Sequence, residues 1–263
     1  MTKTNPEVHL EVGEDGVAVL TVDRPSRLNA LDWAAMEQFH ARILEARDDK
    51  RIRALIITGA GDRAFISGGD LAELQHYPGE KDGRRLADGM GDALDDLDAM
   101  EIPVVAAING HSRGGGCEIA VACDLRIASE NASLGFVHVR QGISTAWGGA
   151  QRLKRLVGYG RAMELLLTGR IITPQDALEL GMIEQIVPAG QALEAARALA
   201  LQIAANPPQA VRALKRLLRL NANEAFEAER EALAKLWATH DHLEAVQAFL
   251  EKRTPVFSFG SEG

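Results

Sequence analysis

Residues 103–128, PVVAAINGHSRGGGCEIAVACDLRIA, decide the fold of this chain. The opening run, PVVAAI, is apolar without alternation, as expected of a strand that is buried on both faces. A glycine-rich loop follows at residues 109–116, a helical segment continues to residue 122, and residues 124–128 form the next strand. A strand, a loop, a helix and a strand in this order predict an α/β fold with parallel strand pairing.

The same signals precede this stretch. Residues 17–22 are a β-branched run after a turn signal, and RALIIT at residues 53–58 is a second buried strand. Residues 31–46 have the apolar spacing of a helix with Asp32 as its N-cap, and residues 86–100 also have helical character. The α/β pattern therefore covers most of the N-terminal half.

Beyond about residue 160 the strand signal fades. Helices are predicted there at residues 161–167, 174–180, 192–205, 208–220, 222–238 and 243–252. We therefore predict an α/β core over residues 1–200 and a helical C-terminal region over residues 201–263.

The overall composition narrows the class of protein. The 263 residues carry a net charge of −8, which argues against nucleic acid or an anionic membrane as the main partner, because phosphate contacts need clustered cations. No run approaches the roughly 20 apolar residues of a membrane span, and the N-terminus lacks the apolar segment of a signal peptide. The two cysteines suit a reducing compartment, and the scattered histidines predict no metal site. The expected location is the cytoplasm.

One segment matches a dinucleotide-binding fingerprint. Residues 59–64 follow a strand and fit G-x-G-x-x-A, and Glu80 lies about twenty residues on, where a ribose-binding acid is expected. The next residues, FISGGD at 65–70, do not begin a helix as that site requires. A dehydrogenase therefore stays a formal alternative that the local sequence disfavours.

Two glycine loops carry the stronger functional signal. AFISGGDL at residues 64–71 and NGHSRGGGCE at residues 109–118 each follow an apolar strand and precede a helical segment. Glycine lets a backbone approach a ligand closely, and free N–H groups at a helix N-terminus suit an oxygen that gains negative charge. Two such loops can form an oxyanion hole, in which each donor is worth roughly 2.7–4 kcal/mol.

These two loops resemble the signature loops of the crotonase (enoyl-CoA hydratase/isomerase) superfamily. Arg24-Pro25 with LNAL at residues 28–31 resembles its N-terminal motif, and FLEKR at residues 249–253 extends the match almost to the end. The resemblance implies a crotonase-like spiral of ββα units with a C-terminal helical trimerisation region. It also implies a homotrimer or a hexamer built as a dimer of trimers.

The resemblance also implies the roles of individual residues. Gly69 and Gly115 match the positions whose N–H groups form the oxyanion hole, and Glu118 matches the first of two catalytic glutamates, a general acid or base. The substrate would be an acyl-CoA thioester, with no separate cofactor. The positions that match contacts with CoA or with the acyl group are Arg27, Ala64, Ile66, Ser67, Gly68, Asp70, Leu71, Trp147, Phe249 and Lys252.

His138 departs from the hydratase pattern, because it stands at the second glutamate position. Imidazole transfers protons near neutral pH, so hydratase or isomerase chemistry, the family default, stays open. FVH at residues 136–138, with Gly142 and WGG at residues 147–149, is similar to ethylmalonyl-CoA decarboxylases. There the leaving CO2 supplies the electrons of the enolate, and Trp147 would wall off an alkyl branch. Decarboxylation is thus the alternative, and a non-catalytic or RNA-binding relative is a remote one that the negative charge disfavours.

Overall fold

A computed structural model describes residues 7–220 and 222–257, with the side chains of residues 222–227 outside the description. The strands are β1 (Val8–Val12), β2 (Val17–Val22), β3 (Ala54–Gly59), β4 (Val104–Ile108), β5 (His111–Arg113), β6 (Leu125–Ser129), β7 (Ser133–Gly135) and β8 (Gln185–Val187). The helices are α1 (Trp33–Asp48), α2 (Leu71–Leu74), α3 (Glu80–Ala99), α4 (Gly115–Ala122), α5 (Gly149–Val157), α6 (Tyr159–Thr168), α7 (Pro174–Glu179), α8 (Ala192–Ala204), α9 (Pro208–Leu217), α10 (Ala222–Trp237) and α11 (His240–Glu251).

The main sheet has six strands in the order β1-β2-β3-β4-β6-β8. β1 runs antiparallel to β2, and every later neighbour pairs in parallel, as the alternation of strands and helices predicts. β5 and β7 form a second, two-stranded parallel sheet. The mixed α/β architecture confirms the predicted fold class.

Both faces of the main sheet are covered, which explains why β3 and β4 are buried at every position and, apart from Thr58, carry no polar side chain. Helices α1 and α3 lie over one face and contribute Phe39, Ile43 and Leu97 to the larger core cluster. Helix α8 covers the other face with alanines at four-residue spacing, which face the sheet together. Small side chains on that stripe let the helix lie close to the strands.

The predicted elements are largely in place, with shifted ends. Asp32 caps α1 as expected, since its side chain accepts the N–H of Ala35 at 2.8 Å. Helix α3 begins six residues earlier than residue 86, and the segment at residues 65–70 holds no helix, which agrees with the case against a dinucleotide site.

The C-terminal part is helical where it is described. Helices α9, α10 and α11 follow one another, and residues 258–263 of the predicted helical region lie outside the described residues. The division at residue 200 stays a prediction. None of the helices in the described ranges is long and apolar enough to cross a membrane.

Candidate active site

Backbone pairing brings the two glycine loops together. Residues 63–66 pair with β5, and the N–H of Arg113 donates to the carbonyl of Ile66 at 3.2 Å. The loops meet where this pairing ends. A β-carbon on Gly68 would lie 3.1 Å from the nitrogen of Gly115, so the two backbones are in direct contact.

The amides of Gly69 and Gly115 are both available as donors. Gly69 is held from both sides, because Leu31 donates to the carbonyl of Gly68 and accepts from the N–H of Asp70, each at 2.8 Å. Gly115 is the first residue of α4, where N–H groups have no partner within the helix. Among the described residues, neither amide donates a hydrogen bond to the protein. Two such donors can bind an oxygen that gains negative charge.

Arg24 joins the helices on either side of Gly69. Its side chain, 9% exposed, forms ion pairs with Asp32 and, at 3.7 Å, with Asp70. Asp32 caps α1, and Asp70 caps α2 through the N–H of Ala72 at 3.1 Å. The arginine therefore fixes two helix N-termini around the peptide that carries the Gly69 amide.

Glu118 lies on the first turn of α4 and is 1% exposed. Its Oε2 accepts the N–H groups of Trp147 and Gly149, each at 2.9 Å. Gly149 is the first residue of α5, so the carboxylate lies at the positive end of a helix dipole. A β-carbon on Gly149 would come within 2.5 Å of the Glu118 Cγ, so this position requires glycine.

His138 completes the contacts of Glu118. It lies in a short 3₁₀ helix, Val137–Gln141, with its Nε2 3.0 Å from the Glu118 Oε1. Its side chain is 11% exposed, and its buried Nδ1 has no hydrogen-bond partner among the described residues. Both oxygens of Glu118 are thus engaged, and the direct contact leaves no space for a water molecule between the two side chains.

Trp147 is fixed beside Gly115. A β-carbon on Gly115 would lie 2.0 Å from Cζ3 and 2.4 Å from Cη2 of the indole, so the ring occupies the space where a side chain would stand. The carbonyl of Trp147 accepts from Arg152 at 2.6 Å, and Arg152 also binds α3 through Asp95 at 2.8 Å. The Trp147 backbone is therefore held on its N–H by Glu118 and on its carbonyl by Arg152.

Sequence reasoning did not assign roles to Arg152 or to Gly149. The glycine pair at residues 148–149, ahead of QRL, carried the signal for a helix N-terminus that could have predicted the Gly149 donor. Nothing in the sequence indicated that the Arg152 side chain would turn back to the Trp147 carbonyl.

The predicted CoA positions fall into two groups. Five lie in the first loop, which pairs with β5 at Ala64 and approaches Gly115 at Gly68: Ala64, Ile66, Ser67, Gly68 and Asp70. Apart from the buried Trp147, the others are exposed. Leu71 is 57% exposed at the start of α2, Arg27 is exposed in the 3₁₀ helix Pro25–Arg27, Phe249 is 82% exposed on α11, and Lys252 follows that helix. Contact of these residues with CoA stays a prediction.

Cys117 precedes Glu118 on α4 and is fully buried. Burial raises the pKa of its thiol from 9.0 to about 11, and the thiol donates to the carbonyl of Ser112 at 3.3 Å. The thiol therefore stays protonated near neutral pH and is a poor nucleophile.

Comparison with known proteins shows the family of this chain. A family model described as enoyl-CoA hydratase/isomerase matches residues 13–259. The chain is 38% identical over 244 residues to the short-chain-enoyl-CoA hydratase of Clostridium acetobutylicum, covering 91% of this chain and 93% of the relative. It is also 38% identical over 246 residues to the 2,3-dehydroadipyl-CoA hydratase of Escherichia coli, covering 92% and 94%.

A solved structure extends the agreement to three dimensions. The crystal structure of an enoyl-CoA hydratase from Bacillus anthracis superimposes with a TM-score of 0.92 at 36% identity, covering 97% of this chain and all of that one. The fold is that of the enoyl-CoA hydratases, and the chain is an acyl-CoA enzyme of the enoyl-CoA hydratase type. The chain belongs to the enoyl-CoA hydratase/isomerase family, which confirms the resemblance inferred from its motifs.

Proposed function

We propose that this enzyme binds an acyl-CoA thioester with the thioester oxygen between the N–H groups of Gly69 and Gly115 and works through a stabilised enolate. The observation that carries the proposal is the meeting of these two unpaired amides beside a buried carboxylate, Glu118. Donors that are already fixed need no reorganisation when charge develops on the oxygen. The two bonds to Leu31 keep the Gly69 peptide in place, so this condition is supported.

Glu118 and His138 are the proposed acid and base. They are in contact at 3.0 Å, so a proton can pass between them, and either can serve a carbon next to the thioester. Their pairing resembles the general arrangement in which a carboxylate orients a histidine that transfers the proton. CoA enters as part of the substrate, and the proposal needs no other cofactor.

The first candidate reaction is addition of water to a 2-enoyl-CoA. It is supported by the hydratase relatives, among them the short-chain and 2,3-dehydroadipyl-CoA hydratases. In this reaction His138 would take the place of a second carboxylate. One group removes a proton from water as the oxygen attacks carbon, and the other delivers a proton to the neighbouring carbon.

The second candidate is decarboxylation of an alkylmalonyl-CoA. A specific observation favours it, because the direct contact between Glu118 and His138 leaves no space for a water held between them. Decarboxylation needs no such water. The carbon–carbon bond to the carboxylate breaks, CO2 leaves, and the electron pair forms the enolate that the two amides stabilise. One proton from the Glu118–His138 pair then returns to carbon.

A single assay tests both candidates. The purified protein is incubated separately with crotonyl-CoA and with ethylmalonyl-CoA, and the products are measured by mass spectrometry. A mass gain of one water on crotonyl-CoA supports the hydratase, and loss of CO2 from ethylmalonyl-CoA alone supports the decarboxylase. No turnover of either thioester would contradict the proposed enolate chemistry for short acyl groups.

A further inference from the structure

The indole of Trp147 packs against Gly115, the residue that carries one of the two proposed oxyanion donors. Its Cζ3 and Cη2 lie within 2.4 Å of the β-carbon position of Gly115, whose N–H is one of the two proposed donors. In the proposed binding mode, the first acyl carbons of a thioester held by that amide lie next to the ring. The side chain is 5% exposed, so the ring fills this space rather than bordering a wide opening.

Several contacts hold the turn that carries the ring. The backbone N–H of Trp147 is bound to Glu118 at 2.9 Å, and its carbonyl is bound to Arg152 at 2.6 Å. Helix α3 supports the turn from behind, since Arg152 is anchored on its Asp95, and a β-carbon on Gly91 would lie 3.9 Å from the carbonyl of Ala146. These bonds fix the backbone, and the ring itself is held by packing, because Trp147 is 5% exposed and belongs to the main hydrophobic core.

We propose that Trp147 is the specificity-determining residue that restricts this enzyme to short-chain acyl-CoA thioesters. The inference rests on the proposed function, because it places the thioester at the Gly115 amide. A short acyl group ends against the indole and gains apolar contact. A chain of medium length meets the ring and has to displace it from its packed position in the core.

Equilibrium binding of saturated thioesters tests chain-length selection by Trp147 without requiring turnover. Dissociation constants for CoA, butyryl-CoA and octanoyl-CoA are measured with the wild type, with Trp147→Leu and with the control Trp237→Leu, whose tryptophan is 63% exposed on α10. We expect the wild type and the control to bind butyryl-CoA at least roughly tenfold more tightly than octanoyl-CoA, since excess methylenes in a closed pocket are rejected by such factors. Trp147→Leu should tighten octanoyl-CoA binding by a similar factor.

Two results would contradict the proposed role of Trp147. The wild type could bind both thioesters equally, or Trp147→Leu could weaken both by the same factor, which is what a purely structural tryptophan predicts. Trp147→Phe serves as the second variant if Trp147→Leu does not fold, and its smaller ring should give a smaller gain in the same direction. If binding depends on chain length but neither crotonyl-CoA nor ethylmalonyl-CoA is turned over, the role of Trp147 in chain-length selection is supported. The proposed function is then contradicted.

Discussion

Glu118 accepts two backbone hydrogen bonds on one oxygen and contacts His138 through the other, while almost wholly removed from water. Glu118→Gln keeps an oxygen for the N–H groups of Trp147 and Gly149 but removes the group that exchanges a proton. We expect kcat to fall by about 10²–10⁴-fold, the range typical of a lost general acid or base, with KM and melting temperature near those of the wild type. Steady-state kinetics on the active thioester and circular dichroism measure both. A kcat equal to the wild type would exclude Glu118 from the chemistry.

His138 decides between the two candidate reactions. His138→Glu places a second carboxylate beside Glu118, where two close carboxylates share a proton and so supply one acid and one base. We expect hydration of crotonyl-CoA to rise and any decarboxylation of ethylmalonyl-CoA to fall. His240→Gln, a change at a side chain 78% exposed, is the control and should leave both rates unchanged. An unchanged hydration rate in His138→Glu would contradict the assignment of His138 to the second glutamate position.

At the scale of elements, the N-terminus of α5 holds the Glu118 carboxylate, and its first residue has no room for a side chain. Gly149→Ala would drive a methyl group to within about 2.5–2.9 Å of Glu118 atoms, so we expect lower stability and a loss of activity. Gly83→Ala in α3 is the matched control, because nothing lies within 4 Å of its β-carbon position. That change should raise the free energy of unfolding by about 0.5–1 kcal/mol and leave the rate unchanged.

The stability of the two glycine variants is compared by denaturant unfolding, and their activity by steady-state kinetics. Equal loss of activity in both variants would show that the loss does not arise from the contact between residue 149 and Glu118. A stable and fully active Gly149→Ala would contradict the close contact between α5 and Glu118.

The sequence predicts some elements well and misses others for physical reasons. Strands β3 and β4 are continuous apolar runs because both faces are buried, and such runs are easily recognised. Strand β5, His-Ser-Arg, has no apolar pattern, since only Ser112 of its three residues is buried, and β8 has just three residues. Helix α5 begins with glycine directly after another glycine, which is typical of a loop. These elements depend on tertiary pairing rather than on local propensity.

At the scale of the whole molecule, the site is assembled from four distant segments: residues 24–31, 64–70, 111–118 and 138–149. Motifs indicated that the two glycine loops, Glu118 and His138 act together. They could not predict that Glu118 contacts His138 directly, or that the Trp147 ring lies on Gly115, because such contacts follow from side-chain packing. Assembly into a trimer or hexamer stays a prediction.

The two buried cysteines are expected to make the whole fold less stable as the pH becomes alkaline. Burial raises the pKa of Cys117 from 9.0 to about 11 and that of Cys123 from 9.0 to about 12. Above pH 9 the unfolded thiols lose their protons while the folded ones keep them, so the unfolded state binds fewer protons. The free energy of unfolding therefore falls as the pH rises from 9 towards 11, by at most about 1.4 kcal/mol per pH unit for each thiol.

The ionisation of Lys215 has the opposite effect on stability and has to be separated from that of the thiols. Burial lowers its pKa, against the opposing effect of Asp124, so the folded state loses that proton first and stability rises with pH in the window below 10.5. Urea unfolding of the wild type and of the double variant Cys117→Ala/Cys123→Ala, at pH 7 and at pH 10, isolates the thiols because Lys215 is present in both. We expect the variant to lose less stability than the wild type between the two pH values. Equal losses would mean that the two thiols ionise alike in the folded and unfolded chains. That result would contradict the raised pKa values expected from their burial.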